Sequence, residues 1–407
     1  MRHFRYFFLA ALSLTAAAAQ QGATLFEGAR LIVGDGSAPV ENSAFLIESN
    51  KVSKIGQKGE LQAPAGAVRI NLDGKTVMPA LIDAHTHLGW QVIKTNQIGA
   101  DTYTRENLVD HLRRIAYYGI AAVQSMGIDK GEIPFQVRAN PFPDAALFRT
   151  AGRGMAMPNA GPGAGYWRPV AYGVKTEAEA RAAVRELAAK KVDLVKIWVD
   201  DRNATVPKLT PPLYRAIIEE AHKNNLRVAA HIFYLADAKE LLRSGIDIFA
   251  HGIRDKDVDD ELIGLFKQHP NVFVIPNLPD RETTEADLKF AAETIPNAVI
   301  KDMRDALAAV KPDAAQKARE FYGVQARNLE KLNAAGVRIG FGTDSSAAVG
   351  WNAHQELTDM VAGKSADFIV LDANPLDNIN NTRRIVEVYQ RGRKLDRAAM
   401  RAGFTGK

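Results

Sequence analysis

Two histidines lie close together at the end of an apolar segment, in the stretch VMPALIDAHTHLGW from Val77 to Trp90. Side chains on a β-strand alternate between its two faces, so His85 and His87 are expected to point the same way. Two imidazole rings on one face suit a transition metal. Because the chain has no cysteine, any further metal ligands must be nitrogen and oxygen atoms.

Four more residues with ligating or acid–base side chains stand within or just after apolar runs. They are Lys196 in DLVKIWVD, His231 in LRVAAHI, His251 in IDIFAHG and Asp344 in VRIGFGTD. Each also has a structural interpretation: a lysine at a strand edge, a hydrogen-bonded core histidine, or an aspartate that caps the next helix. The six residues form one site only if the fold brings the ends of these runs together.

Eight apolar runs have the length of strands, and helical stretches separate most of them. Besides the run that ends at His85 and His87, they are IAAVQSMG, AALFRTAG, DLVKIWVD, LRVAAHI, IDIFAHG, NVFVIPNL and VRIGFGTD. Such an α/β pattern favours a TIM-like (β/α)8 barrel, in which the chemistry gathers at the carboxyl ends of the strands. A doubly wound open sheet is the alternative, and the lack of a GxGxxG motif after the first strand weakens it.

The domain division follows from these patterns. The barrel is predicted to span residues 76–363, and short alternating stretches in 20–75 and 364–407 predict a small flanking β-sandwich domain built from both ends of the chain. Residues 1–19 combine two arginines with an apolar segment and a small-residue cleavage site, which predicts a signal peptide. We therefore expect an exported protein, periplasmic or secreted, with no membrane attachment after cleavage.

The composition is that of a globular enzyme, with 46% hydrophobic and 24% charged residues. The formal net charge of +5 is not gathered into a block of like charges, so the sequence gives no indication of nucleic-acid binding. We expect a small molecule as the substrate.

The order of the motifs DAHTH, VKIW, AAHIF, FAHG and GTDSS resembles the amidohydrolase superfamily over nearly all of the mature chain. The chain is most similar to the branch with two metals and a carboxylated lysine, among the exported imidazolonepropionase-related and Xaa-Pro dipeptidase-like hydrolases. The resemblance implies two divalent ions, expected to be zinc, and carbon dioxide for carboxylation of the lysine. The metal ligands that it implies are His85, His87, Lys196, His231, His251 and Asp344.

By the same resemblance, Asp344 holds the buried metal together with the first two histidines, and the two later histidines hold the second metal. Lys196, once carboxylated, bridges the two. The implied reaction is hydrolysis of an amide bond, peptide-like or N-acyl, by a hydroxide that bridges the metals. Asp344 is expected to be catalytic as well, taking a proton from the metal-bound water that yields this hydroxide and passing it to the departing amine.

Aromatic residues suggest where the substrate binds. Tyr166 and Trp167 in the loop after the third strand, together with Trp198, are predicted to line a pocket over the metals for an apolar or ring-bearing substrate such as a dipeptide, an N-acyl amino acid or a lactone. The other interpretation is an ordinary packed loop. Tyr234, just past His231, is predicted to hydrogen-bond a developing oxyanion.

Two other functions stay open. One is a single-metal deaminase or hydrolase of cyclic amides or lactones, a class that lacks the bridging lysine, and the other is an inactive homologue that only binds. The second gains weight from a departure from the family pattern. Where the family continues through two helices and a turn, Val361 runs almost directly into AGKSADF.

Because the short join lacks the helices that would cover one flank of the barrel, we expect apolar surface to be exposed there. Each Å² of exposed apolar surface costs roughly 25 cal/mol of stability. The chain should be marginally stable as a monomer or bury that flank against a second copy. Inserting a helix–turn–helix segment after Val361 should therefore raise the melting temperature substantially and leave metal binding unchanged. Thermal melts with light scattering test this. An unchanged melting temperature, with both forms monomeric, would mean that the short join is already well packed.

Overall fold

The computed structural model describes residues 22–278, 283–346, 349–359, 368–390 and 393–405. The predicted signal peptide, residues 1–19, and the short join from Val361 to Lys364 lie outside these ranges. Both expectations therefore stay predictions.

The strands in the described ranges form parallel sheets, mixed sheets and one two-stranded antiparallel sheet made of Gln91–Val92 and Gln97–Ile98. They are β1 (Thr24–Glu27), β2 (Arg30–Leu31), β3 (Ser43–Glu48), β4 (Lys51–Gln57), β5 (Val68–Asn71), β6 (Thr76–Pro79), β7 (Leu81–Thr86), β8 (Gln91–Val92), β9 (Gln97–Ile98), β10 (Ile120–Ser125), β11 (Leu147–Thr150), β12 (Met155–Ala156), β13 (Tyr172–Gly173), β14 (Val195–Val199), β15 (Val228–Ile232), β16 (Ile248–Phe249), β17 (Phe273–Val274), β18 (Arg338–Ile339), β19 (Phe368–Leu371), β20 (Ile385–Gln390) and β21 (Arg393–Lys394).

Most of the helices lie between consecutive parallel strands. They are α1 (Arg105–Tyr117), α2 (Ile133–Ala139), α3 (Glu177–Ala189), α4 (Pro211–Lys223), α5 (Leu235–Arg243), α6 (Asp260–Gln268), α7 (Glu285–Ala291), α8 (Asn297–Ala308), α9 (Pro312–Ala334), α10 (Trp351–Asp359) and α11 (Arg397–Thr405), with 3₁₀ turns at Arg168–Val170 and Ile379–Arg383. Local sequence marks where a helix begins. At the start of α3, for example, Thr176 and Glu179 form a capping box. Within the described ranges, no helix combines the length and apolarity needed to cross a bilayer.

The eight runs expected as strands are all strands, and all of them pair in parallel. Three form a sheet in the order β11-β10-β7, and the other five lie in a seven-stranded sheet in the order β13-β12-β14-β15-β16-β17-β18. The two additional short strands, β12 and β13, lie in the segment after β11 that the sequence predicts as a loop. The α/β class is confirmed.

Backbone hydrogen bonds connect the two parallel sheets on both sides. Between β7 and the segment after β18, the N–H of Ala84 donates to the carbonyl of Phe341 at 3.0 Å. Between β11 and the start of β14, the N–H of Asp193 donates to the carbonyl of Thr150 at 2.9 Å. The strand that carries the first histidines is therefore held directly beside the segment that carries Asp344.

The strand β14 illustrates how the sheet positions polar side chains. Val195 packs outward among helix residues such as Leu213 of α4. Leu194, just before the strand, packs with Ile275 in a separate apolar cluster between the strands. Lys196 shares the parity of Leu194 and is fully buried. Alternation along the strand thus turns the lysine away from the helices.

Both ends of the described chain contribute to a pair of smaller sheets. A four-stranded sheet has the order β4-β3-β1-β5, and a five-stranded sheet has the order β2-β6-β19-β20-β21. Phe26 stacks on Phe45 with ring centroids 4.8 Å apart and meets Tyr389 edge-on at 5.2 Å, so the two sheets share a core. Because β6 pairs with β19 and β2, Thr76–Pro79 lies in these smaller sheets, although the predicted barrel segment begins at residue 76.

Candidate metal centre

The ends of β7 and β18 bring three of the predicted ligands together. Asp344 Oδ1 lies 3.0 Å from His87 Nε2 and 3.3 Å from His85 Nε2, and the two nitrogens lie 3.2 Å apart. The ligand atoms of the three residues all lie within 4.8 Å of one another. Both rings are buried, whereas the Asp344 side chain is 38% exposed. The carboxylate is therefore the member of this three-residue cluster that is most accessible to water.

The charge states suit metal binding. Burial lowers the pKa of His85 well below its usual value, so its ring is neutral. Burial also acts to raise the pKa of Asp344, but the nearby His85, His87 and Lys196 outweigh it and hold that pKa well below its ordinary value. Neutral imidazole and anionic carboxylate are the forms in which these side chains bind metals.

Asp83 fixes the two strand ends relative to each other. Its Oδ1 accepts hydrogen bonds from the backbone N–H groups of His85 at 3.1 Å and Thr343 at 3.0 Å, and its Oδ2 accepts from the Thr343 hydroxyl at 2.6 Å. Burial raises the pKa of Asp83 to about 7, although these bonds oppose the shift. A Cβ at Gly342 would lie 2.9 Å from the His85 nitrogen, so glycine permits the close approach.

Asn277, shortly after β17, determines which nitrogen of His85 is free. Its Nδ2 donates to the carbonyl of Gly342 at 2.7 Å, which turns its Oδ1 toward His85 Nδ1, 2.8 Å away. Nδ1 must then carry the hydrogen, so Nε2 keeps its lone pair beside Asp344. The sequence predicts no ligand at this strand end. The signal that points to Asn277 is a polar amide that follows an apolar run ending on the same rim.

Replacing Asn277 with alanine is expected to weaken zinc binding by about 10–100-fold, the usual effect of losing the outer hydrogen bond of a metal-bound histidine. Titration against a chromogenic chelator measures the affinity, and melting of the metal-free variant serves as the control for folding. If a folded Asn277→Ala variant binds zinc as tightly as the parent chain does, Asn277 merely ties down the Gly342 backbone.

Lys196 is buried beside the cluster without a conventional partner. Among the described residues, none forms a hydrogen bond with its Nζ. Burial, with a smaller effect of Arg254 and Arg202 and with Asp344 opposing, lowers the pKa of Lys196 to about 7. A Cβ at Gly127 would lie 2.8 Å from Lys196 Cγ, so this glycine makes room for the side chain. Its Nζ lies 5.6 Å from the centroid of the Trp198 ring. A buried amine without a hydrogen bond is costly, and it is the kind of group that a carboxylation or a metal would satisfy.

His251 approaches the cluster, with its Nε2 3.9 Å from Asp344 Oδ2, but neither His251 nor His231 belongs to the group whose ligand atoms all lie within 4.8 Å of one another. The His251 ring centroid is 5.0 Å from that of His85 and 4.4 Å from that of His231. His231 Nε2 lies 3.0 Å from Asp200 Oδ2, which leaves Nδ1 as its free nitrogen. Burial lowers the pKa of His231 to about 3 and that of His251 well below its usual value, so both rings are neutral. The sequence predicts no role for Asp200, although it follows the Lys196 strand directly.

The residues present fit divalent metal ions that bind nitrogen and oxygen. Four buried imidazoles and one carboxylate converge, and His85 has its ligating nitrogen set free by Asn277. Two buried nitrogen atoms, His87 Nδ1 and Lys196 Nζ, lack a hydrogen-bond partner among the described residues. Buried polar atoms without partners are uncommon in folded proteins, and a bound ion is one of the ways in which such atoms are satisfied.

The Tyr234 hydroxyl is already engaged. It donates a hydrogen bond to Asp201 Oδ1 at 2.7 Å, and this bond is the main cause that raises the pKa of Tyr234 to about 12. A phenol has one hydrogen to donate. Tyr234 can therefore serve an oxyanion only in a state in which Asp201 has released that hydrogen.

The predicted aromatic pocket residues separate into two groups. Trp167 lies near the cluster, with its ring centroid 5.9 Å from that of His87, and Tyr166 is 37% exposed. Trp198 is only 3% exposed, and its ring fills the space over Gly154, where a Cβ would lie 2.2 Å from it. Trp198 thus packs in the interior, whereas Tyr166 is exposed; that these residues line a substrate pocket stays a prediction.

Comparisons with known proteins find relatives in sequence and in fold. The model of the amidohydrolase family matches residues 76–362. An uncharacterized protein of Mycobacterium tuberculosis is 26% identical over 305 residues, 73% of this chain and 70% of that protein. The ochratoxinase of Aspergillus niger is 25% identical over 292 residues, 62% of this chain and 58% of its own length. The crystal structure of a Xaa-Pro dipeptidase with bound methionine is alike in fold, with a TM-score of 0.68 at 20% identity over 91% of this chain and 99% of that one.

Proposed function

This chain belongs to the amidohydrolase family, and from that premise we propose that it is a metal-dependent hydrolase that cleaves amide bonds, peptide-like or N-acyl. The observation that carries the proposal is the cluster of His85, His87 and Asp344 beside the buried, unpartnered Lys196. Nitrogen and oxygen atoms of this kind can bind metal ions, which activate a water molecule for attack on a carbonyl, and the carboxylate among them is accessible to solvent. Such chemistry needs no serine or cysteine nucleophile.

The proposed setting is a closed (β/α)8 barrel flanked by the small sandwich. Eight parallel strands in sequence order support closure, as do the hydrogen bonds from Ala84 to Phe341 and from Asp193 to Thr150. The proposed ligands lie in strands or just after them. Barrel enzymes carry their chemistry at the carboxyl ends of the strands.

The proposal assigns two divalent ions, expected to be zinc, to the six ligands named from the sequence. The three-residue cluster would hold one ion, His231 and His251 would hold the other, and Lys196 would bridge them after carbon dioxide has carboxylated its amine. When bound, such ions lower the pKa of a water and polarise the substrate carbonyl. The free Nε2 of His85 and the unpartnered Nζ of Lys196 support this assignment.

Asp344 is the proposed proton carrier. It is anionic and is the most exposed member of the cluster, so it can accept a proton from the attacking water and deliver it to the departing amine. Burial lowers the pKa of His85, so its ring does not compete for that proton. Trp167, beside His87, shields the cluster on one side.

A screen with metal analysis tests the proposal. The purified chain, loaded with zinc, should hold two ions and hydrolyse at least one member of a panel of dipeptides, N-acyl amino acids, lactones and aryl carbamates. The highest kcat/KM should fall among the amide substrates. Two ions with lactone hydrolysis alone, or with no turnover of any amide, would contradict the proposed function.

The alternative is a single-metal deaminase or a hydrolase of cyclic amides or lactones. It is favoured by the fact that, among the described residues, the close ligand group contains three members and includes neither His231 nor His251. One ion per chain with turnover supports this alternative. Bound metal without any turnover supports a third function, an inactive homologue that only binds.

We also propose that the chain is exported, because residues 1–19 have the pattern of a signal peptide. A second copy is the proposed partner for the flank beside the short join at Val361. Fractionation of the producing cells and the mass of the purified mature chain in solution test these two proposals separately.

A further inference from the structure

A cavity of about 390 Å³ lies beside the outer helices α2 and α3. Phe135 of α2 and Leu187 of α3 line it, and both side chains also pack in the apolar layer between strands and helices. The rest of its wall comes from the segments that follow β10 and β11 and from the stretch that leads into β13. Among the described residues that line it, none is a proposed metal ligand.

Aromatic rings form much of the wall. Trp90 is fully buried, Tyr166 is 37% exposed, and their ring centroids lie 6.4 Å apart. Phe135 and Tyr172 add two more rings. The metal centre lies beyond this wall, because Trp167 packs on Trp90 with ring centroids 6.3 Å apart. A concave site of this size with several rings suits a small ligand that carries an apolar ring.

Arg153 places a guanidinium at the cavity without an anionic partner. Its Nε donates to the carbonyl of Val170 at 2.6 Å, and its Cζ lies 3.9 Å from the centroid of the Tyr172 ring. These two contacts hold the guanidinium in place, but neither supplies a negative charge. Within the part of the chain that the structure describes, no carboxylate forms an ion pair with Arg153.

The Tyr172 hydroxyl near this guanidinium also lacks a partner. It is buried, and no described residue forms a hydrogen bond with it. Burial is the main cause that raises the pKa of Tyr172 to about 12, with Glu186 adding to the shift and Arg153 opposing it. The phenol therefore keeps its hydrogen near neutral pH. A cation and a hydroxyl hydrogen thus lie close together without an acceptor, which is a costly arrangement for a buried donor.

The other charged residues of the wall leave an excess of positive charge. Lys130 donates through Nζ to a backbone carbonyl at 3.2 Å, whereas Lys190 forms an ion pair with Glu132 at 2.7 Å. Asp129 is buried and accepts hydrogen bonds from the hydroxyls of three neighbouring residues. In the described ranges, two cations and one exposed carboxylate, that of Glu186, remain on the wall without an ionic partner. This balance suits a ligand with a single negative charge.

We propose that the cavity is a second ligand site, separate from the metal centre, and that it binds a small aromatic carboxylate. The carboxylate accepts hydrogen bonds from Arg153 and the Tyr172 hydroxyl, and the ring packs against Trp90 and Tyr166. A planar guanidinium suits a carboxylate. A phosphate ester is less suitable because its second negative charge would lie near Glu186. This inference does not depend on the proposed hydrolysis.

A matched pair of probes tests the inference. Phenylacetate and 2-phenylethanol share the ring and the two-carbon chain, and only the first has a carboxylate. Calorimetry on the zinc-loaded chain should show that the acid binds about 10-fold or more tightly than the alcohol, as expected for hydrogen bonds to a charged group. Equal binding of the two probes would overturn the inference. Removing the zinc should leave the Kd for phenylacetate unchanged, and binding that disappears with the zinc would place the acid at the metal centre instead.

Arg153→Met should weaken the binding of phenylacetate by about 10-fold or more. Arg168 offers the matched control. It is also partly buried, donates through Nε to a backbone carbonyl at 3.3 Å, and has no ion pair among the residues that the structure describes, but it does not line the cavity. Arg168→Met should leave the Kd unchanged. Equal effects of the two substitutions on binding would overturn the assignment of the acid to this cavity.

Glu186→Gln should change the affinity in the opposite direction. Glu186 is exposed on α3, so its substitution leaves the packing of the helix intact. It removes a negative charge near the bound carboxylate, and phenylacetate should therefore bind severalfold more tightly. If Arg153→Met does not fold, this variant decides the inference, since unchanged or weaker binding would contradict recognition of an anion beside Arg153.

Discussion

Replacing Asp344 with asparagine is expected to lower turnover by about 10²–10⁴-fold, the range of a lost general acid–base group, while the zinc content changes far less. The amide oxygen of asparagine can still face His85 and His87, whose Nε2 atoms lie 3.3 and 3.0 Å from Asp344 Oδ1. It cannot take up a proton at neutral pH. Turnover of the best substrate, measured beside metal analysis of the same sample, separates the two roles.

The control for this experiment is a buried carboxylate away from the site. Asp287 caps α7 and forms an ion pair with Arg383 at 2.6 Å. Asp287→Asn removes one carboxylate charge as Asp344→Asn does, so it should lower the melting temperature without a comparable loss of kcat. An Asp344→Asn variant that turns over within a factor of a few of the parent chain would show that another group moves the proton.

Much of the fold can be predicted from the sequence, because the alternation of side chains along a strand and the position of polar residues at its end are local features. Apolar runs of strand length predict the eight parallel strands, and a polar residue at the end of such a run predicts a side chain at one rim. This reasoning is sufficient to nominate His85, Lys196 and Asp344. The two-residue strands β12 and β13 are beyond it, because a pair of residues within a glycine- and proline-rich stretch has no periodic signal.

The supporting residues of the site depend on contacts between distant parts of the chain. Asn277 and His85 are 192 residues apart in sequence, and their hydrogen bond exists only because the segment after β17 lies beside the end of β7. Asp83 similarly reaches Thr343 across 260 positions. No spacing rule predicts such pairs from one sequence. The surroundings of Trp198 were equally hidden, since the glycine beneath its ring, Gly154, lies on another strand end.

The surroundings of Lys196 in the metal centre oppose the charged form of its amine. Its side chain is fully buried, its Nζ has no hydrogen-bond partner within the described ranges, and burial lowers its pKa to about 7. A substantial fraction of the amine is therefore neutral near neutral pH, the form that reacts with carbon dioxide. The product is a carbamate, formed with release of one proton, and it would replace a costly amine that lacks a hydrogen bond with two oxygen atoms that share one negative charge among four imidazoles. Burial that penalises the cation thus favours the modification.

Lys196→Ala is accordingly expected to lose metal content and turnover together, because the chain would lose its only bridging group under the two-metal proposal. Propionate or another short carboxylate added to the variant should restore part of both, since its two oxygens fill the space of the missing carbamate. Propionamide is nearly the same size and uncharged, so it should restore neither. His231→Ala provides the matched protein control: it also removes a proposed ligand, but it leaves Lys196 in place, so added propionate has no missing bridge to replace and should restore neither metal content nor turnover. A Lys196→Ala variant that keeps two ions and the parent rate would remove Lys196 from the centre, whereas rescue by propionamide as well as propionate would reduce its role to filling space.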